Sequence, residues 1–277
     1  MTQTGSTQPS ASAPERLVYL MYHELELPGR ALCQSEPGYV RYIVHQTDFL
    51  GHIRHLTSKG WRGMSVEQAL SSSGSSASSS IVTPGVVFTF DDGCETDLIA
   101  AAPLLKEAGF GATFYITTGF LGSRGYLAPT QVRELSDLGF DIGCHSSTHP
   151  YLSDLATEAL PAEIAVPKER LEQMIGREVA HFSCPGGRFD TRVVHTAREA
   201  GYRSLATSQP RVNTSQTNLF ELGRVAVMRG TNIQQFWPIC QGQGLWRMRW
   251  RNQFRASVKT FLGNSFYDRV RARLLSQ

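Results

Sequence analysis

Short runs of strand-forming residues alternate with segments of helical periodicity along most of this chain. The intervening segments carry apolar residues at helical spacing, and several end on a glycine. Because a helical crossover joins strands that run in the same direction, this alternation predicts an α/β fold with a parallel sheet or a (β/α) barrel. The seven strand-like runs are RLVYLMYH (16–23), GVVFTF (85–90), ATFYITTG (112–119), FDIGCH (140–145), EVAHFSCP (178–185), YRSLATS (202–208) and LFELGRVAVM (219–228).

Length and composition suggest how the chain divides into domains. The 277 residues are 41% hydrophobic, which is enough for one large α/β domain or two small ones. Residues 1–15 are rich in Ser, Thr, Gln and Pro and are predicted to form a disordered tail. The serine-rich run at 71–80 is predicted to be a surface loop, because periodic apolar segments continue on both sides of it. We therefore expect a barrel over residues 16–240 and a helical extension over residues 241–277.

The cysteines and the N-terminus carry information about the compartment. The cysteines are scattered without a CxxC pair, at positions 33, 94, 144, 184 and 240, so neither a disulfide framework nor a cysteine-ligated zinc site is indicated. The N-terminus lacks the pattern of a secretory signal, and no stretch has the roughly 18 apolar residues of a membrane-spanning helix. The sequence therefore predicts a cytoplasmic protein.

The C-terminal segment 246–277 differs from the rest of the chain in charge. It carries eight Lys and Arg residues against Asp268 alone, a net charge of +7, which leaves −4 for the remainder. Apolar residues recur at every fourth position from Trp246 to Leu274. Such a basic amphipathic segment either lies on an anionic membrane surface or packs its apolar side against the barrel. The acidic body argues against general nucleic-acid binding.

Reactive side chains follow several of the predicted strands. His23 ends the first run, Asp91 and Asp92 follow the second, and His145 and His149 follow the fourth. In parallel α/β folds the carboxyl ends of the strands lie at one edge and carry the chemistry. We therefore expect these residues, which are far apart in sequence, to converge at one edge of the sheet.

Two histidines and one carboxylate are the protein ligands of an open metal site. The segment HSSTHP contains both imidazoles, and its serines, threonine and proline favour a loop over a helix. Zinc suits this donor set, and cobalt, nickel and iron accept the same ligands. The second aspartate would then be free to act as a base. The alternative interpretation of Asp91 and Asp92 is a turn that caps the following helix.

Three motifs resemble those of a known family. TFDDG (89–93), HSSTH (145–149) and FSCPGGRFD (182–190) occur in the order and spacing of the first three motifs of the polysaccharide deacetylase family, also called the NodB-homology or carbohydrate esterase family 4 domain. The third motif is similar to a variant F-x-[YC]-P-x-G branch. The likeness covers roughly residues 16–230 and implies a distorted (β/α) barrel of about seven strands. It also implies metal-dependent hydrolysis of an N-acetyl group from a sugar.

The resemblance implies a role for each matching residue. Asp91 corresponds to the catalytic base, Asp92 to the metal-binding carboxylate, and His145 and His149 to the metal-binding histidines. The substrate would be an N-acetylated polysaccharide, an oligosaccharide or a lipid-linked glycan precursor. Two alternatives stay open: hydrolysis of another non-peptide amide, and a catalytically silent relative that binds carbohydrate.

The sequence departs from the family pattern at two positions. Many members open the third motif with an arginine that orients the base, whereas Ser183 stands near that place here; Arg224 is the candidate replacement, its alternative being an ordinary rim arginine. The late Leu-x-His motif, which supplies the general acid, is absent. His23 is the candidate acid because it ends the first strand, although a lone histidine is more often structural.

The remaining candidates concern the substrate. Tyr151, Leu152 and Phe189 are candidates for an apolar slot that receives the acetyl methyl group, and plain core packing is the alternative. A second set is predicted to shape the edge of the site so that the backbone can approach a substrate closely. This set comprises Pro185, Gly186 and Gly187.

Overall fold

The computed structural model describes residues 16–72 and 84–249. The predicted disordered tail 1–15, most of the serine-rich loop and residues 250–277 lie outside this range. The strands within the described residues are β1 (Val18–Tyr22), β2 (Leu25–Glu26), β3 (Val44–His45), β4 (Arg62–Met64), β5 (Gly85–Phe90), β6 (Thr113–Ile116), β7 (Asp141–Cys144), β8 (His181–Ser183), β9 (Ser204–Ala206) and β10 (Val225–Ala226).

Helices connect most of these strands. Those within the described residues are α1 (Pro37–Val40), α2 (Gln46–Ser58), α3 (Val66–Ser72), α4 (Ala102–Glu107), α5 (Pro129–Asp137), α6 (Leu160–Ile175), α7 (Thr191–Glu199) and α8 (Ile233–Cys240). A π-helical turn at Asp97–Ala101 leads into α4. Shorter 3-10 turns occur at Leu152–Asp154, Thr157–Ala159, Pro185–Gly187 and Leu219–Glu221.

The main sheet is entirely parallel and curls into a distorted barrel. Its strand order is β10-β1-β5-β6-β7-β8-β9, and β4 pairs with the first half of β5 while β6 pairs with its last two residues. A single parallel bridge between Ala206 and Leu222 joins β9 to the segment just before β10, so the two ends of the sheet approach each other. The predicted α/β barrel is confirmed, with eight strands in the main sheet.

The short strands explain the difference from the expected seven. A two- or three-residue strand such as β4 contains too little sequence for its periodicity to be recognised. The parallel pair β2 and β3 forms a separate small sheet for the same reason. The predicted run 219–228 contributes only the two residues of β10, after a 3-10 turn.

Burial accounts for the strands that were predicted well. All six residues of β5 are buried, as expected for a parallel strand covered on both faces. α2 turns Phe49, Ile53 and Leu56 towards the core, and α6 ends at Gly176 with a left-handed φ of 68°. No helix among the described residues is long and apolar enough to span a membrane.

The described part of the C-terminal extension is short. Residues 245–249 are helical; Leu245 is buried in the core and Met248 packs against it. Trp246 is 62% exposed, with the Arg247 guanidinium 5.2 Å from its ring. The rest of the predicted extension lies outside the described residues, so the choice between barrel and membrane stays a prediction.

Candidate active site

The side chains of the two adjacent aspartates diverge because the backbone turns from the strand into a left-handed conformation between them. Asp91 continues the strand, and its N–H donates to the Tyr22 carbonyl at 3.0 Å. Asp92 and Gly93 then adopt left-handed conformations, with φ of 80° and 78°. A left-handed residue other than glycine costs of order 1–3 kcal/mol and persists only where its surroundings impose it. The left-handed conformation at Asp92 therefore separates the two carboxylates, and an oxygen of each still lies within 3.7 Å of His145 Nε2.

The loop after β7 carries both histidines and contains two further left-handed residues. Ser146 and His149 have φ of 68° and 65°. The Glu163 carboxylate, in the first turn of α6, accepts from the backbone N–H groups of Ser147 and Thr148 at 3.0 and 2.9 Å. This carboxylate replaces the regular pairing that an irregular loop lacks and so fixes the course of the histidine loop.

Asp92, His145 and His149 meet at one point. One ligand atom from each residue lies within 4.8 Å of the others, and Asp92 Oδ1 is 3.6 Å from His145 Nε2 and 3.4 Å from His149 Nε2. The Ser183 carbonyl lies 2.8 Å from His145 Nδ1, which fixes the tautomer that leaves Nε2 free to bind a metal. Asp92 Oδ1 is buried and has no hydrogen-bond partner among the described residues. These three side chains therefore fit a divalent metal ion.

The electrostatics of this group favour a cation. Burial raises the pKa of Asp92 to about 6, because the opposing effect of His23 does not compensate for lost hydration. Burial also lowers the pKa of His145 to about 3 and lowers that of His149. Both imidazoles are therefore neutral near pH 7 and can donate lone pairs. A divalent cation would offset the buried negative charge of the carboxylate.

Asp91 is held by a fully buried arginine. Arg224 Nη1 and Nη2 donate to its two carboxylate oxygens at 2.7 and 2.8 Å, and the guanidinium is 0% exposed. The other guanidinium contacts are Thr207 O, Thr89 Oγ1 and Ser183 Oγ. Burial alone would raise the pKa of Asp91, but the Arg224 guanidinium beside it holds the pKa well below its usual range. Asp91 is therefore ionised at any ordinary pH.

His23 lies on the same side as the aspartates. Its Nδ1 is buried without a hydrogen-bond partner among the described residues, and its ring centroid is 5.0 Å from that of Tyr42. His23 opposes the rise that burial causes in the pKa of Asp92 and also lowers the pKa of Asp91. His23 therefore lies close enough to both aspartates to influence them.

Comparison with known proteins finds a similar family. Residues 82–205 match the family model described as polysaccharide deacetylase. The YxkH protein of Bacillus subtilis (strain 168) is 26% identical over 80% of this chain and 75% of its own length. A peptidoglycan-N-acetylglucosamine deacetylase of Bacillus cereus is 32% identical over 44% of this chain and 56% of its own length. Residues 82–205, which are 124 of the 277, are therefore similar to the polysaccharide deacetylase family.

A solved structure of a deacetylase has the same fold. The Streptococcus pyogenes deacetylase PplD, solved in complex with acetate, superposes with a TM-score of 0.71 at 21% identity. The match covers 82% of this chain and 99% of PplD. The curled parallel sheet of this chain is therefore shared with PplD over nearly the whole of that protein.

The predicted substrate residues occupy different environments. Tyr151 is 40% exposed, with the Arg188 guanidinium 4.2 Å from its ring centroid, and Phe189 is half-buried. Leu152 is buried in the core, and its place in an apolar slot stays a prediction. Pro185 is also buried.

Internal packing explains the two glycines of the third motif. Gly186 and Gly187 have φ of 61° and 70°, the left-handed region that favours glycine. A Cβ would lie 2.6 Å from the Tyr151 ring at Gly186 and 2.5 Å from Ser208 at Gly187. Contacts within the protein therefore require both glycines, whether or not a substrate also approaches them.

Sequence reasoning missed several residues that support the site. Thr89 precedes Asp91 by two positions on β5, and the alternation of side chains along a strand could have identified it. Glu163 and Thr207 had no recognisable signal, because acids in a first helical turn and threonines after a strand are common. Two other histidines that end up away from the site are His181, which contacts Glu67, and His195, which is exposed on α7.

Proposed function

We propose that this chain is a metal-dependent hydrolase that removes the N-acetyl group from an N-acetylated carbohydrate. The observation that carries the proposal is the division of the aspartate pair. Asp92 Oδ1 lies near Nε2 of both His145 and His149. Both oxygens of Asp91 are instead held by Arg224, and of the two imidazoles only that of His145 lies near it, at 3.7 Å. A ligand and a base need these two environments. The relatives support the substrate class, since the matched proteins include a peptidoglycan-N-acetylglucosamine deacetylase and a chitooligosaccharide deacetylase.

The metal would be held by Asp92, His145 and His149. Zinc suits one carboxylate and two imidazoles, and cobalt, nickel or iron would accept the same donors. When bound, the ion supplies Lewis acidity that polarises the amide carbonyl and acidifies a water molecule. The Ser183 carbonyl contributes by keeping His145 in the metal-binding tautomer.

Asp91 would accept the proton of the water that attacks the amide carbon. Arg224 is a positioning residue, because its two-pronged contact fixes the plane of the carboxylate and keeps it ionised. It takes the orienting role that an arginine of the third motif fills in many family members, and Ser183 completes the contact by accepting from Nη2 at 2.7 Å.

His23 is the proposed general acid. The free amine leaves readily only once its nitrogen has gained a proton, and His23 Nδ1 is a buried nitrogen without a partner among the described residues. Tyr151 and Phe189 would contact the sugar, with Pro185, Gly186 and Gly187 shaping the adjacent backbone. The contact of residues 246–277 with an anionic membrane, and a cytoplasmic location, stay predictions.

Acetate release tests the proposal. Wild-type protein loaded with zinc, cobalt or nickel is incubated with N-acetylglucosamine oligomers, peptidoglycan fragments and lipid-linked N-acetylated sugars. We expect acetate from at least one of these, and we expect Asp91→Asn to bind metal as wild type does while losing about 100- to 10,000-fold in rate. Metal-loaded wild type that binds these glycans but releases no acetate would instead support the silent carbohydrate-binding alternative.

A further inference from the structure

A second cluster of metal-binding side chains lies beside the candidate active site. Glu24, Cys33 and Cys94 each place one ligand atom within 4.8 Å of the others. They come from three segments: the connection after β1, the loop after β2, and the loop that carries Asp92. We propose that these three side chains bind a second divalent cation, of the thiophilic class to which zinc belongs.

The three side chains are held in place by contacts around them. Both carboxylate oxygens of Glu24 accept from the Cys33 backbone N–H, at 3.0 and 3.1 Å. The Cys33 thiol lies 3.0 Å from the Gly125 carbonyl, and the Tyr39 hydroxyl lies 3.3 Å from Cys94 Sγ. Glu24 and Cys94 are buried, and Cys33 is half-buried. The ligand set is therefore largely formed, and Cys33 lies on its accessible side.

A neighbouring carboxylate provides a second, independent observation. Asp97 is 0% exposed, and neither of its oxygens has a hydrogen-bond partner among the described residues. Arg30 is the basic side chain whose charge opposes the rise that burial causes in the pKa of Glu24, but its ion pair is with Glu95. The region thus buries acidic groups without a matching cation.

Two thiolates and a carboxylate favour zinc over magnesium or calcium, which prefer oxygen ligands. On binding, each thiol loses its proton to solvent, and a fourth position is left for a water molecule. The site would tie the loop after β2 to the loop after β5, two residues from Asp92. It is chemically distinct from the Asp92–His145–His149 group, which contains no sulfur, and it does not depend on the proposed hydrolase activity.

Cobalt substitution distinguishes the two sites. Metal-free full-length protein, kept reduced, is titrated with Co²⁺ and followed by absorption. Thiolate-to-cobalt charge transfer gives an intense near-ultraviolet band that a site with only nitrogen and oxygen ligands lacks. We expect two equivalents to bind, with the thiolate band present. His149→Ala should remove one equivalent and leave the band unchanged.

Variants of the second cluster should show the reverse pattern. Cys33→Ser, at the half-buried position, should remove the band and keep one equivalent bound. Glu24→Gln keeps both thiols and should weaken cobalt binding there by at least about tenfold, because losing a direct ligand costs no less than losing an outer contact. Cys240→Ser, a buried cysteine on α8, is the matched control and should leave the band intact.

Three outcomes would overturn the proposal. These are a wild-type titration without the thiolate band, a band that survives Cys33→Ser, and a Cys33–Cys94 disulfide that re-forms in place of metal binding after reduction. Far-ultraviolet circular dichroism of each variant verifies that it is folded, and Glu24→Gln provides a test if Cys33→Ser does not fold. None of these readouts uses acetate release, so the failure of the second site and the failure of the proposed hydrolase are separate results.

Discussion

Two clusters of histidine, arginine and carboxylate side chains lie at opposite ends of the main sheet. The active-site cluster, at the carboxyl ends of the strands, consists of Asp91, Asp92, His145, His149 and Arg224. The basal cluster, at the amino ends of β7, β8 and β9, consists of Glu67, Asp141, Glu178, His181 and Arg203. The residue types are nearly the same, so any difference in role must come from their surroundings.

The basal cluster is fully paired and partly exposed. His181 contacts Glu67 Oε2 at 3.0 Å and Ser204 Oγ at 2.9 Å, so both ring nitrogens are used. Arg203 donates to Glu67 at 2.7 Å, and its side chain is 51% exposed. Glu67 and Arg203 keep much of their hydration, His181 is buried, and the contacts within the cluster satisfy one another.

The active-site cluster combines burial with incomplete pairing. Asp92 Oδ1 has no partner among the described residues, and Asp92 and His149 both have left-handed backbones. A fold retains such strain and such an unpaired charge only if they serve another purpose. The comparison teaches that unpaired buried atoms and strained backbone, rather than residue types, distinguish a candidate site from a structural ion-pair network.

The largest difference in stability is expected between variants of Arg224 in the active-site cluster and of Arg203 in the basal cluster. Arg224→Met leaves Asp91 buried without its partner and should lower the free energy of unfolding by about 3–5 kcal/mol. The matched control Arg203→Met breaks an exposed pair and should cost less than about 1 kcal/mol. Urea unfolding of metal-free protein at pH 7 measures both. Equal losses in the two variants would remove the distinction between the clusters.

The next contrast concerns the carboxylates of Asp92 and Glu67. Their negative charges are expected to change the stability of the folded protein in opposite directions. Asp92 has a pKa raised from 3.8 to about 6, so between these values the folded state binds a proton that the unfolded state has released. Its negative charge therefore costs stability above pH 6, by about 3 kcal/mol, and the cost disappears as the pH falls below 3.8. Asp92→Asn should accordingly stabilise metal-free protein at pH 7 and leave its stability near pH 3.5 unchanged.

Glu67 is the control for this prediction. Burial raises its pKa, but hydrogen bonds from Arg203 and Ser71 outweigh burial and lower it, so the ionised form contributes stability that is lost in acid. Glu67→Gln should therefore destabilise the protein slightly at pH 7, by less than about 1 kcal/mol. If Asp92→Asn also destabilises the metal-free protein, the buried carboxylate of Asp92 does not carry the cost in stability that we assign to its negative charge.

The sequence was sufficient to predict those features of the fold and of the candidate site that depend on local pattern. Alternating periodicity predicted the parallel barrel, and the three motifs predicted the family; both predictions are confirmed. The same patterns assigned Asp91, Asp92, His145 and His149 to strand ends, where the structure has them. The catalytic and metal-binding roles of these residues stay predictions.

What the sequence did not reveal depends on contacts between distant segments. Arg224 was a candidate only because an expected arginine was missing, and nothing in its own neighbourhood indicates that Asp91 lies 2.7 Å away. Cys33 and Cys94 lack a recognisable spacing because the barrel, rather than a local motif, brings them together. Left-handed φ values at Asp92 and His149 likewise follow from the packing of whole loops.

A smaller effect is expected where a carboxylate supports the active-site cluster without belonging to it. Glu163→Gln weakens the acceptor for two backbone N–H groups of the histidine loop, so His149 should be less well positioned. We expect metal affinity to fall about tenfold and the free energy of unfolding to fall by about 1–2 kcal/mol. Glu169→Gln, on the exposed face of α6, is the control. Unchanged metal affinity in Glu163→Gln would indicate that the loop holds its shape without this anchor.

The smallest expected effect separates the clusters by their response to salt. A double-mutant cycle on Arg203 and Glu67 should give a coupling energy of about 0.2–1 kcal/mol that shrinks at 1 M NaCl, because exposed charges are screened over about 3 Å there. The same cycle on Arg224 and Asp91 should give a coupling that salt hardly changes, since no solvent or ions reach the pair. If both couplings fell in parallel, water would have access to Arg224, and its burial could not be what keeps Asp91 oriented and ionised.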